Sequence, residues 1–153
     1  AMSVMKTGGI TFNGDTAAAN TLDDYEEGTF TPTIVNGWGI LSPTYSVNTG
    51  SYTKIGNTVH VNFRINLSGG STNNNPLLIT SFPFTSNAIT NTASGLNGWF
   101  ASSAGDTSNV FMSLEPNSTS HYIYRRTTTS ITSITGTAAG GGFSMTFSGS
   151  YRT

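Results

Sequence analysis

The chain of 153 residues contains no cysteine, which removes disulfides, thiolate metal sites and cysteine nucleophiles together. Histidine is nearly absent as well: His60 and His121 stand far apart, in no metal-ligand spacing. Charge is scarce. Asp, Glu, Lys and Arg make up 8% of the residues, against about 25% in an ordinary domain. The net charge of −1 offers no basic stripe for nucleic acid. No apolar run reaches the length of a membrane span, so membrane insertion is not expected. The start, Ala1-Met2-Ser3-Val4-Met5-Lys6, lacks the apolar core of a signal peptide. Ala1-Met2 reads as a cloning remnant, and a longer native chain is expected to precede Ser3.

What fills the space is Ser, Thr and Asn, about two-fifths of the chain, well above ordinary usage. A surface of hydroxyls and amides hydrogen-bonds readily and projects little long-range field. It suits neutral polar ligands such as glycans better than phosphates.

The shortage of acids also limits chemistry. Cleaving a glycosidic bond generally takes two carboxylates about 5 to 9 Å apart. Of the seven acids, Asp15, Asp23, Asp24, Glu26, Glu27, Asp106 and Glu115, four lie in one acidic segment, which reads as a solvated bend. Asp106 with Glu115 is the remaining candidate pair. The acidic segment supplies oxygen ligands of the kind calcium uses, but in no EF-hand spacing. Neither a G-x-S-x-G elbow nor a G-x-x-x-x-G-K-[ST] phosphate loop is present. Gly140-Gly141-Gly142 reads as a flexible turn. The chain is therefore read as non-enzymatic, with no cofactor and no metal.

Periodicity points to strands. Val59, Val61, Phe63, Ile65 and Leu67 alternate with His60, Asn62, Arg64 and Asn66, the period of a half-buried strand. Gly56-Asn57 ahead of it suits a tight hairpin turn to Ser51–Ile55. Phe143 to Tyr151 alternates again at the C-terminus. Shorter candidates are Thr29–Val35, Leu77–Thr80, Gly95–Ser102, Val110–Leu114, Ser120–Thr127 and Ser130–Ile134, and no window carries a capped helical stripe. The fold class predicted is all-β: an antiparallel β-sandwich, jelly-roll-like, with an extended N-terminal segment. Residues 1–21 read as a linker or the end of a shaft, and 22–153 as one domain.

Recognition then falls to aromatics, arginines and amides. Trp38 sits between Gly37 and Gly39, either as a lid on the core or as a stacking platform. Trp99 lies in a predicted strand, where core is the plain reading and a stacking surface the other. In His121-Tyr122-Ile123-Tyr124-Arg125-Arg126, alternation places Tyr122, Tyr124 and Arg126 on one face and His121, Ile123 and Arg125 on the other. An exposed tyrosine face would offer rings to stack and a guanidinium for carboxylates or hydroxyls; a buried one would fill core or a subunit interface. Asn74, in the polar loop Ser68–Pro76, completes the candidate set. The polar face His60, Asn62, Arg64 and Asn66 reads either as solvated or as shared between subunits.

The string Leu22-Asp23-Asp24-Tyr25-Glu26-Glu27-Gly28-Thr29-Phe30-Thr31-Pro32-Thr33, followed by Gly50-Ser51-Tyr52-Thr53-Lys54-Ile55-Gly56-Asn57-Thr58-Val59, resembles the head domains that end tail fibres and related appendages of bacteriophages. Gly8 to Asp15 and Phe147 to Thr153 extend the likeness to both ends, whereas Gly69 to Gly142 matches nothing nameable. The resemblance implies a homotrimeric β-sandwich at the distal end of a virion fibre, joined to other tail proteins. It also implies attachment to a bacterial cell-surface glycan or protein. A trimerisation cap without ligand and a carbohydrate-binding module of a depolymerase are the alternatives. Host specificity would reside in Ser68–Pro76, Asn97–Thr107 and Leu114–Arg126, as loops on a rigid scaffold.

Overall fold

A computed structural model describes residues 2–4, 9–12, 24–35, 38–88 and 93–153. Met2–Val4 (β1) and Ile10–Phe12 (β2), in the stretch read as a linker or the end of a shaft, pair antiparallel as a two-stranded sheet of their own. The main sheet uses Tyr25–Phe30 (β3), Thr33–Ile34 (β4), Ile40–Ile55 (β5), Thr58–Thr72 (β6), Leu78–Thr80 (β7) and Ala93–Ser102 (β8). It continues with Thr107–Ser113 (β9), His121–Arg126 (β10), Ile131–Ser133 (β11) and Phe143–Arg152 (β12). A short helix, Gly136–Ala139 (α1), leads into β12.

All pairings are antiparallel, in the spatial order β3-β5-β6-β12-β8-β9-β10-β7-β4, with β11 beside β10. The order follows from hairpins. Ile55 pairs with Thr58 across Gly56-Asn57, and Gly56 alone of that turn has positive φ, at 56°. A two-residue hairpin with glycine at its first central position tolerates that angle. β12 then enters between β6 and β8, pairing with β6 over its whole length from Phe143↔Leu67 to Arg152↔Thr58.

The sheet is curled, so that the inward faces of β6, β12 and β8 meet those of β9, β10 and β7 as a sandwich-like fold. Val59, Val61, Phe63, Ile65 and Leu67 share one buried cluster with Phe143, Met145, Phe147, Leu96, Phe100, Val110, Met112 and Ile123. Phe82, on the segment after β7, is the hub between the layers. Its ring lies 5.6 Å from Phe63, 5.8 Å from Phe30, 5.9 Å from Tyr151 and 4.6 Å from His121, in the edge-on and tilted geometries that aromatic quadrupoles favour. Phe63 and Phe147 stack at 5.3 Å on neighbouring strands.

The acidic segment is not a bend but an edge strand. Residues 25–30 pair with β5 in unbroken register from Tyr25↔Ile55 to Phe30↔Gly50. The Tyr52 hydroxyl donates to Glu26 at 2.6 Å, the Tyr25 hydroxyl donates to Glu27 at 2.9 Å, and Lys54 forms an ion pair with Asp24. Asp24 is thus charge-paired and Glu26 hydrogen-bonded by side chains of β5, while Glu27 is bonded within β3. Gly50 is required on the inward face, since a Cβ there would stand 2.5 Å from the Phe30 ring.

Candidate functional site

Pairing register defines a second, outward surface. From β5 across to β10 the residues facing away from the core form rows. One row runs Ser51, Asn62, Ser148, Asn97, Phe111 and Tyr124. The next runs Thr49, Arg64, Thr146, Trp99 and Asn109, with Arg126 one position past the Arg125↔Val110 pair. The six central strands β5, β6, β12, β8, β9 and β10 contain no Asp or Glu. The surface is therefore hydroxyl and amide with a few rings.

Trp99 is 46% exposed on this face, so the core reading is corrected. Leu96 and Phe100 are the buried members of β8, with Gly98 between them, and alternation sends Asn97, Trp99 and Ala101 outward. Trp38 is also exposed, at 40%. Its ring packs on Tyr122 at 5.8 Å, which makes it a surface aromatic pair and not a lid. Tyr124 stacks on Phe111 at 5.9 Å. Tyr122, Tyr124 and Arg126 thus lie on the outward face of β10, with Trp38 against the first of them.

Asn74 is exposed at the same end as Trp38: its Oδ1 accepts the Thr137 hydroxyl at 2.7 Å, while the neighbouring Asn73 Oδ1 accepts the Gly39 N–H at 3.2 Å. Asn36 and Gly37 lie outside the described residues.

His121 and Arg125 are corrections. His121 is fully buried beneath Phe82, and its Nδ1 accepts the Glu115 N–H at 3.1 Å. The proton therefore sits on Nε2, which is buried with no partner among the described residues. Burial lowers the imidazole pKa from 6.5 to about 4. Arg125 turns inward from the same strand and forms an ion pair with Asp106, which also accepts the Ser108 hydroxyl at 2.8 Å. Neither side chain is free for a ligand, because strand parity places both on the core side.

The same ion pair commits the Asp106 carboxylate. Among the described residues no group of three or more His, Asp or Glu could hold a metal ion; Asp23 lies outside them. The expected recognition loops are partly strands: Ser68–Thr72 belongs to β6 and Asn97–Ser102 to β8. Sequence reasoning missed Phe111 and Asn109 as outward neighbours of the named aromatics, and placed Asn62 on a polar face and Asn97 in a recognition segment without joining them to those rings. Alternation within each strand could have found them, but the cross-strand register could not be read. Comparison of the chain with protein-family models, with curated proteins and with solved structures finds no match to any.

Proposed function

We propose that the protein is the receptor-binding head of a bacteriophage tail fibre or similar virion appendage. In this reading it is a homotrimer at the distal end, joined to other tail proteins. It holds a bacterial surface glycan or protein without chemical change. The observation that carries this reading is the outward sheet face, a broad field of Asn, Ser and Thr with exposed Trp99 and with Tyr124 stacked on Phe111. Isolated rings on a polar, weakly charged surface provide stacking area at low entropic cost, while amides and hydroxyls supply directional bonds. The residues that carry the family resemblance are occupied in joining β3 to β5. They support a shared scaffold, and recognition falls to the strands beyond it.

The test is adsorption of the fluorescently labelled protein to a panel of Gram-negative and Gram-positive strains, with solution mass measured in parallel by light scattering. The expected result is saturable binding to a restricted set of strains by a species of three chains. A protein that binds no strain, or all strains alike, would sink the attachment role.

A further inference from the structure

Charge on this chain is segregated by strand. The six central strands hold Lys54, Arg64, Arg125, Arg126 and Arg152, five of the six basic residues, and none of the seven acids. Lys54 is taken by Asp24 and Arg125 by Asp106. Arg64, Arg126 and Arg152 have no acidic partner among the described residues, and all three are exposed. A weakly acidic protein thus presents six strands whose own unpaired charges are all positive, while burial raises the Tyr124 pKa and the Glu115 carboxylate, between β9 and β10, lies near enough to raise it further.

Two of these guanidinium groups flank Trp99. Across the strands, Arg64 is level with Thr146, Thr146 with Trp99 and Trp99 with Asn109, and Arg126 follows next to Asn109. Adjacent strands are about 4.8 Å apart, so the backbone position of each arginine lies roughly 10 Å from that of Trp99. Arg64 is held in place: its Nε donates to Asn66 Oδ1 at 3.1 Å, and the same oxygen accepts the Ser144 hydroxyl at 2.7 Å. Its terminal nitrogens have no protein partner among the described residues.

We propose that the row Arg64, Thr146, Trp99, Asn109 and Arg126 binds an acidic oligosaccharide laid across the strands, one sugar ring stacked on Trp99 and carboxylates of neighbouring sugars on the arginines. The inference rests on the attachment reading and names its ligand class. A guanidinium binds a carboxylate through two parallel N–H···O bonds and cannot lose its proton. An indole face receives the C–H face of a sugar ring, and Asn109 and Thr146 between them meet hydroxyls. A neutral glycan would leave the flanking charges unused. Nucleic acid would call for a denser basic surface than three arginines on six strands.

Calorimetric titration of the full chain decides it, with oligogalacturonate, hyaluronan oligosaccharides and oligosialic acid as probes. Methyl-esterified oligogalacturonate, maltohexaose and single-stranded DNA serve as comparisons. At least one acidic chain should bind, and the affinity should fall as salt rises. Trp99→Ala should weaken it by about 30-fold, as loss of a central aromatic anchor does. Arg64→Gln should weaken it by about tenfold, as loss of a charge-assisted bond does. Both variants should keep the wild-type melting midpoint, since both side chains are exposed. The proposal is overturned if no acidic chain binds, if the neutral chains or the DNA bind as well, or if Trp99→Ala binds like wild type. Adsorption to cells separates the two claims. Binding to strains that survives both substitutions removes this site and leaves the attachment role, whereas a wild type that binds acidic oligosaccharide but no cell removes the role and leaves the site.

Discussion

The hydroxyl of Tyr45, on β5, accepts the backbone N–H of Ile34, on β4, at 2.7 Å. β4 is the last strand of the sheet path and β5 the second, so this bond ties one end of the curled sheet to the other. Burial raises the Tyr45 pKa, and the Ile34 bond opposes that rise. Removing only the oxygen, by Tyr45→Phe, leaves a partly buried N–H without its acceptor. The expected cost is about 1 to 3 kcal/mol, read from the urea midpoint at unchanged slope. An unaltered midpoint would mean that the curl is held by core packing alone.

His121 makes stability depend on pH in a defined direction. The imidazole is neutral in the folded protein with a pKa of about 4, whereas in the unfolded chain it would titrate near 6.5. A depressed histidine pKa gives stability that is fully present above about 6.5 and lost as pH falls toward about 4, because the unfolded state takes up the proton first. The full difference is about 3 kcal/mol, and about 2 kcal/mol of it should be gone by pH 5. Denaturant titrations between pH 7 and pH 5 should show this slope, and His121→Gln, which keeps an acceptor near the Glu115 N–H, should remove most of it. A wild type equally stable at pH 7 and pH 5 would contradict the buried, neutral imidazole.

Gly98 is opposite Phe147 in the β8–β12 pair, on the inward face. A Cβ there would press on the Thr146 carbonyl and stand 2.7 Å from a Phe147 ring carbon. Ring and backbone must then shift, and the Phe63–Phe147 stack with them. Gly98→Ala is expected to cost about 1 to 3 kcal/mol, as overpacking of a filled core does. Gly69, where a Cβ would meet nothing within 4 Å, is the control, with Gly69→Ala expected to change stability by less than about 0.5 kcal/mol. Equal melting midpoints for the two variants would refute the close packing at Gly98.

The legible parts of the fold are those where one residue type repeats with period two. β6 is plain in the sequence because five apolar residues alternate without interruption from Val59 to Leu67. The first half of β5 is not, because it carries Pro43, a positive φ of 48° at Ser42 and register shifts between Leu41 and Val47. Each irregularity resets which face a side chain takes. Trp99 is harder to place: a strand position alone favours core for a tryptophan, and with Gly98 on the inward face of β8 no central apolar side chain marks which parity is buried. The charge segregation was present in the residue order, yet it has meaning only once strand bounds and neighbours are known. That β12 lies between β6 and β8 is a long-range pairing that local pattern does not encode.

Trp38 and Tyr122 offer a way to tell attachment from mere capping. Their rings touch at 5.8 Å, and Trp38 is otherwise held through its backbone, by the Trp38 N–H to Val35 carbonyl bond at 3.0 Å and the Gly39 link to Asn73. Trp38→Ala therefore removes exposed ring area without opening the core, and a loss of no more than about 1 kcal/mol in stability is expected. If the Trp38–Tyr122 pair contacts the receptor, Trp38→Ala and Tyr122→Ala should each lower cell adsorption by about tenfold or more, as truncation of aromatic anchors does. The solution mass should stay at the wild-type value. If the pair lies between subunits, the same substitutions should lower the mass at working concentration, and adsorption would fall only through loss of that assembly. Measuring mass and adsorption on one preparation of each variant separates these outcomes, and a variant that changes neither would place recognition away from this end of the sheet.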